Sequence, residues 1–92
     1  MTPHSVPSFA PGVRLQDDPT RGQTILQGPE RLLVPDEIAL EVLAEVDGKT
    51  SLAGITEALA ARFQADPAEV GADVSELLDS LVTRGFLRES QP

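Results

Sequence analysis

DPAEVGADVSELLDSLVTRGFL runs from Asp66 to Leu87 and decides how the chain folds. Val70, Val74, Leu77, Leu78 and Leu81 recur at helical spacing and make one apolar stripe. Asp66 supplies an N-cap oxygen, and Pro67 suits the first helical position. Glu69 stands where a capping box is completed. Gly85 stops the helix, and Phe86-Leu87 can fold back onto a core. A short connection to the preceding helix gives this segment the place of a recognition helix in a winged-helix protein. Its charge is wrong for that task. Asp66, Glu69, Asp73, Glu76 and Asp79 precede its single base, Arg84.

Working back from Asp66, two more helices precede it. Leu52, Ile55, Leu59 and Phe63 fall on one side of the second, with Thr50 or Ser51 as its cap. Ala58, Ala60 and Ala61 permit close approach. Ile38, Ala39, Val42, Leu43 and Val46 form the stripe of the first, capped by Asp36 and ended by Asp47-Gly48. Before Asp36 the period changes to two. VRLQ from Val13, QTILQ from Gln23 and ERLLVP from Glu30 alternate as strands. Asp18-Pro19, Gly22 and Gly28-Pro29 mark the turns between them. The fold class expected is α+β and winged-helix-like: a three-stranded antiparallel sheet followed by three helices, packed into one core. Residues 1–12 carry Pro3, Pro7 and Pro11 among small residues and read as a flexible N-terminal arm. Residues 13–88 form the domain, and residues 89–92 a C-terminal tail.

The chain has 92 residues and a net charge of −8. Residues 36–92 carry all of that charge, with twelve acids against four bases. Nucleic-acid affinity comes mainly from clustered Lys and Arg on phosphates, so no nucleic acid is expected as a partner. An anionic membrane would be repelled in the same way. Aromatic residues are 3% of the chain, too few for a base-stacking surface. No cysteine is present, which excludes disulfides, cysteine-bound zinc and a thiol nucleophile. No apolar run reaches membrane-spanning length, and the first residues lack the pattern of a signal peptide. A soluble, cytoplasmic protein is expected.

Catalytic chemistry finds no footing. His4 lies in the arm and cannot hold a fixed geometry. Glu69, Asp73 and Glu76 approach one another along the third helix, but no further ligands converge on them to hold a metal. Ser, Thr and Lys49 have no activating partner. The expectation is no enzyme, no metal and no cofactor.

What is left is a surface. On a helical wheel centred at Val74, Leu77 and Val70 lean to one flank, bordered by Asp73, Ser80 and Arg84. That flank has a partly apolar floor and a mixed-charge rim. The third strand contributes its outer edge. RLLV has no internal proline or lysine to block pairing, so an extended peptide can add there as a fourth strand. The alternative is that Leu32, Leu33 and Val34 are core and that the N-terminal arm covers the edge.

PGVRLQDDPTRG, LQGPERLLV and DEIALEVLAEVDGKTSLAGITEALAARF together resemble the PqqD family of pyrroloquinoline quinone biosynthesis. The resemblance runs from Pro11 to Arg88 and is carried by Arg21-Gly22, Pro29-Glu30-Arg31 and Asp47-Gly48. It implies a peptide chaperone that binds the precursor peptide PqqA and presents it to the radical SAM enzyme PqqE. It also implies a groove between the third strand and the third helix. On this chain Glu30, Arg31, Leu32, Leu33 and Val34 would form the strand side. Asp73, Leu77, Ser80 and Arg84 would form the helix side, placed by the wheel. Against this stands a small winged-helix-type module for oligomerisation or regulation. An exposed edge also admits strand exchange between two copies, hence a homodimer.

Overall fold

The computed structural model describes residues 1–91. Five strands and three helices follow in the order β1 (Val6–Phe9), β2 (Arg14–Asp18), β3 (Gln23–Gln27), β4 (Leu32–Leu33), α1 (Glu37–Leu43), α2 (Leu52–Phe63), α3 (Pro67–Thr83) and β5 (Leu87–Ser90). The three strands and three helices read from the sequence are β2, β3, β4 and α1, α2, α3. The sheet order is β2-β3-β4, all antiparallel.

A second, two-stranded sheet corrects the expected arm and tail. β1 pairs antiparallel with β5, Val6 opposite Ser90 and Phe9 opposite Leu87. The winged-helix likeness is therefore loose. The segment is held because it satisfies donors that nothing else reaches. The first N–H groups of a helix have no partner inside it. In α2, Leu52 N donates to Ser5 O at 2.8 Å and Ala53 N to Pro3 O at 3.0 Å. Gly54 N donates to the Ser51 hydroxyl at 3.2 Å, and Ile55 N to Ser51 O at 2.9 Å. Ser5 is fully buried, and its hydroxyl accepts from Thr2 N and from Gln91 Nε2. Proline spacing shows none of this, because the partners lie far along the chain. Of the expected tail, Glu89 and Ser90 belong to β5, and Pro92 lies outside the described residues.

The core gathers one residue set from each layer. Leu26 comes from the sheet, Val42 and Leu43 from α1, Leu52, Ile55 and Leu59 from α2, and Val74, Leu78 and Leu81 from α3. Phe86 and Leu87 return to close it, after Gly85 takes φ +84, a backbone angle that favours glycine. Val70 and Leu77 are only half-buried against this core. Two expected core residues are not in it. Ile38 is 75% exposed and Phe63 56% exposed. Ile38 stands in the first turn of a short helix, and Phe63 in the last turn of α2, so both overhang the packed layers. Of Ala58, Ala60 and Ala61, only Ala60 is buried.

The caps follow the sequence closely. Asp36 accepts from Ala39 N at 2.8 Å, and Asp66 from Ala68 N at 3.0 Å. α1 stops at Leu43, earlier than Asp47-Gly48, and the chain continues to Val46 in tighter turns. Asp47 instead organises the loop into α2. Its carboxylate accepts from Lys49 N at 2.8 Å, Thr50 N at 2.7 Å and the Thr50 hydroxyl at 2.9 Å. The bond from Lys49 N, then those from Thr50, hold its pKa below the ordinary carboxylate value.

Two outcomes are expected. Deleting residues 1–9 removes β1 and strands Leu52 N and Ala53 N, at about 0.5–1.5 kcal/mol for each hydrogen bond lost. The melting temperature falls and the Leu52 and Ala53 amides lose protection in hydrogen exchange; a flexible arm would leave both unchanged. Asp47 stabilises the fold above the unfolded carboxylate value of about 3.9. That contribution is lost as pH falls through its lower folded value. Asp47→Ala is therefore destabilised at neutral pH, and its deficit against the native chain narrows in acid, as pH-resolved melting curves would record.

Candidate binding groove between β4 and α3

β4 has one neighbour. β3 occupies its inner side, with Leu33 opposite Leu26 and Leu32 opposite Gln27. The N-terminal segment does not cover its outer side, because that segment is committed to β5. Among the described residues the outer edge of β4 pairs with no strand.

Register assigns that edge to one residue. Gly28 N donates to Arg31 O at 2.8 Å, so the Arg31 backbone faces β3. Backbone groups alternate in direction along a strand. Leu33 therefore also faces β3, and Leu32 points its N–H and C=O outward. Side chains alternate as well. Leu33 packs against the core, while Leu32 is 54% and Val34 48% exposed. Glu30 and Arg31 are exposed at the turn.

Opposite lies α3. Asp73, Leu77, Ser80 and Arg84 share one flank at about 100° per residue. Asp73, Ser80 and Arg84 are exposed and Leu77 is half-buried, which makes an apolar strip with polar edges. β4 packs on β3 and little on α3, so strand and helix stand apart. Two clefts lie beside α3, and Leu32, Leu33, Val34, Leu77 and Ser80 line neither of them. One, of about 230 Å³, is lined by Val13, Glu30, Arg31, Arg84 and Phe86. It brings the start of the β4 segment to the C-terminal end of α3. Arg84 lies over the Phe86 ring at 5.8 Å, an arrangement that orients its guanidinium. The other, of about 320 Å³, is lined by Ile38, Val42, Phe63, Val70 and Asp73, with Glu41 at its edge. It brings α1 and the end of α2 to the N-terminal half of α3. The segment from Glu30 to Ile38 and the flank from Arg84 back to Asp73 thus run alongside each other.

Sequence reasoning named Asp73 and Arg84 and put Val70 on the floor of the flank, but missed Ile38 and Phe63 as lining residues. The spacing of Ile38 and Phe63 placed them in the core stripes. Only their positions at helix ends hinted otherwise. No group of three or more His, Cys, Asp or Glu among the described residues is placed to hold a metal. Among the described residues no helix is long and apolar enough to cross a membrane.

The edge geometry gives a two-sided expectation. Proline has no N–H and a fixed φ. Leu33→Pro removes an inward ladder bond and lowers the melting temperature markedly. Leu32→Pro leaves the ladder intact and keeps the fold. If an extended ligand pairs at this edge, Leu32→Pro also weakens its binding, by about 0.5–1.5 kcal/mol for the bond lost. Calorimetric titration beside melting curves distinguishes this from side-chain contact alone, for which blocking the outward N–H is harmless.

Comparison with known proteins gives one consistent picture. The sequence profile of the family described as "Coenzyme PQQ synthesis protein D (PqqD)" matches residues 23–87. A PqqA binding protein of Xanthomonas euvesicatoria is 50% identical over 88 residues, 96% of each chain. A PqqA binding protein of Rhodopseudomonas palustris is 47% identical over 78 residues, 85% of this chain and 76% of that one. The solution structure of the PqqD part of Methylobacterium extorquens PqqCD is a stand-alone recognition element for ribosomally synthesised, post-translationally modified peptides. It superposes with a TM-score of 0.75 at 36% identity, over 90% of this chain and 88% of that one. Crystalline PqqD from Xanthomonas campestris superposes with a TM-score of 0.61 at 44% identity, over 96% and 98%.

Proposed function

The chain belongs to the PqqD family, and from that membership we propose that it is a chaperone for the precursor peptide PqqA. It binds PqqA as an extended strand on the outer edge of β4 and presents it, in the cytoplasm, to the radical SAM enzyme PqqE. Glu30, Arg31, Leu32, Leu33 and Val34 form the strand wall. Asp73, Leu77, Ser80 and Arg84 form the helix wall. The chain contributes recognition, and bond-making belongs to the partner enzyme.

The observation that supports this reading is the outer edge of β4, which pairs with no strand among the described residues, in a chain 50% identical to a protein named for binding PqqA. Backbone hydrogen bonds supply affinity for any extended chain, and side-chain contacts with the helix wall supply selectivity. The acidity of α3 fits this role. A peptide does not need the row of bases that a phosphate backbone demands.

An edge that takes a peptide also takes the β4 of a second copy. Such a homodimer would hide the edge, so peptide binding and self-pairing compete.

The test is a titration of the ¹⁵N-labelled chain with PqqA peptide, followed by NMR. Amide shifts are expected to concentrate in residues 30–34 and 73–84, and PqqE is expected to crosslink PqqA faster with the chain present. A saturating peptide that leaves both stretches unmoved overturns the assignment of the groove.

A further inference from the structure

The two ends of the groove differ in chemistry. At one end, Arg31 and Arg84 line the same cleft. Both are exposed, and among the described residues neither has a carboxylate within 4 Å. Glu30 lines that cleft too, which leaves it one positive charge in excess. In a chain of net charge −8 this is a local reversal of sign. At the other end the walls are apolar, and Ile38 and Phe63 lie largely open to water. The charges there do not favour an anion. Glu41 is paired with Arg62 at 3.3 Å, and Asp73 stands at the rim.

We propose that the groove reads two features of the bound peptide: a carboxylate held by Arg31 and Arg84, and a large apolar side chain seated between Ile38 and Phe63. The proposal rests on the peptide-binding reading above and adds what that peptide must carry. Arg84 is suited to the first task because its stacking on Phe86 limits its freedom before binding. A carboxylate there gains charge-assisted hydrogen bonds, and a basic side chain meets two like charges. At the other end an apolar side chain covers Ile38 and Phe63 together, while an acidic one is repelled by Asp73. The two tasks are separated by a fixed length. Asp73 to Arg84 spans roughly 16 Å at about 1.5 Å per residue of helix. An extended chain covers that in about five residues at about 3.3 Å each. The acid and the apolar anchor of the peptide therefore lie about five residues apart.

The test uses the full chain and synthetic PqqA in calorimetric titrations, with melting curves on every variant. Arg31→Glu with Arg84→Glu is expected to weaken binding at least about tenfold and to reduce its salt dependence. Ile38→Ser with Phe63→Ser is expected to weaken it similarly with no change in salt dependence. All four side chains are exposed, so the fold should persist. Should charge reversal unfold the chain, Arg31→Gln with Arg84→Gln carries the same expectation at smaller size. Scanning PqqA with acids changed to Lys should find one position whose change restores binding to the Glu variant. Scanning it with apolar residues changed to Ser should find one position without further effect on the Ser variant. The two positions should be about five residues apart. If wild type binds PqqA and the folded variants bind equally well, or the sensitive positions adjoin, the two-point reading is wrong and the peptide-binding reading stands. If wild type does not bind PqqA, the peptide-binding reading fails and takes this proposal with it.

Discussion

The pairing of β1 with β5 is the contact on which the rest of this structure depends. It joins the two ends of the chain across the helices. It also carries Pro3 and Ser5 to the start of α2, where their carbonyls take the first two helix N–H groups. Each such hydrogen bond contributes about 0.5–1.5 kcal/mol, so the segment adds to the stability of the start of α2. The consequence lies in the other sheet. A segment committed to β5 cannot also cover β4. Among the described residues the outer edge of the three-stranded sheet stays open at β4, because β1 is already paired with β5.

An open edge is usually a liability, since any extended chain can pair with it. Here its form limits the hazard. β4 is two residues long, and its outward backbone groups belong to Leu32. The opposite edge of the same sheet, β2, carries exposed Arg14, Gln16 and Asp17. The exposed apolar side chains of this sheet's edges, Leu32 and Val34, therefore lie on the β4 side. That contrast is physical grounds for regarding the β4 side as a working surface and the β2 side as a solvated boundary.

The helices show the same economy. α3 buries Val74, Leu78 and Leu81 and keeps Leu77 half-covered, so one helix serves the core and carries a partly apolar surface on the adjacent face. Ile38 and Phe63 extend the apolar surface beyond the core instead of adding to it. Their exposure would be a defect in a free-standing domain of this size. Bordering the cleft between α1, α2 and α3, they become part of a surface that a second chain can cover. The acidity that rules out a phosphate backbone leaves such a surface intact.

Much of the fold was legible in the sequence because its signals are local. The helical stripes, the caps at Asp36 and Asp66, a cap for α2 at Thr50 or Ser51, and the turns at Gly22 and Gly28-Pro29 each need only neighbouring residues. So did the wheel that put Asp73, Leu77, Ser80 and Arg84 on one flank of α3. The family resemblance implied a groove between the third strand and the third helix, where periodicity alone left the edge open between a free and a covered reading. Tertiary structure decided what depends on distant partners. It turned residues 6–9 from an expected arm into a strand, because their partners are residues 87–90. It moved Ile38 and Phe63 out of the core, because a stripe says which side a residue takes and not whether the opposite layer reaches that far. It chose Leu32 over Leu33 as the outward residue, because alternation fixes a period while only the bond from Gly28 to Arg31 fixes its phase.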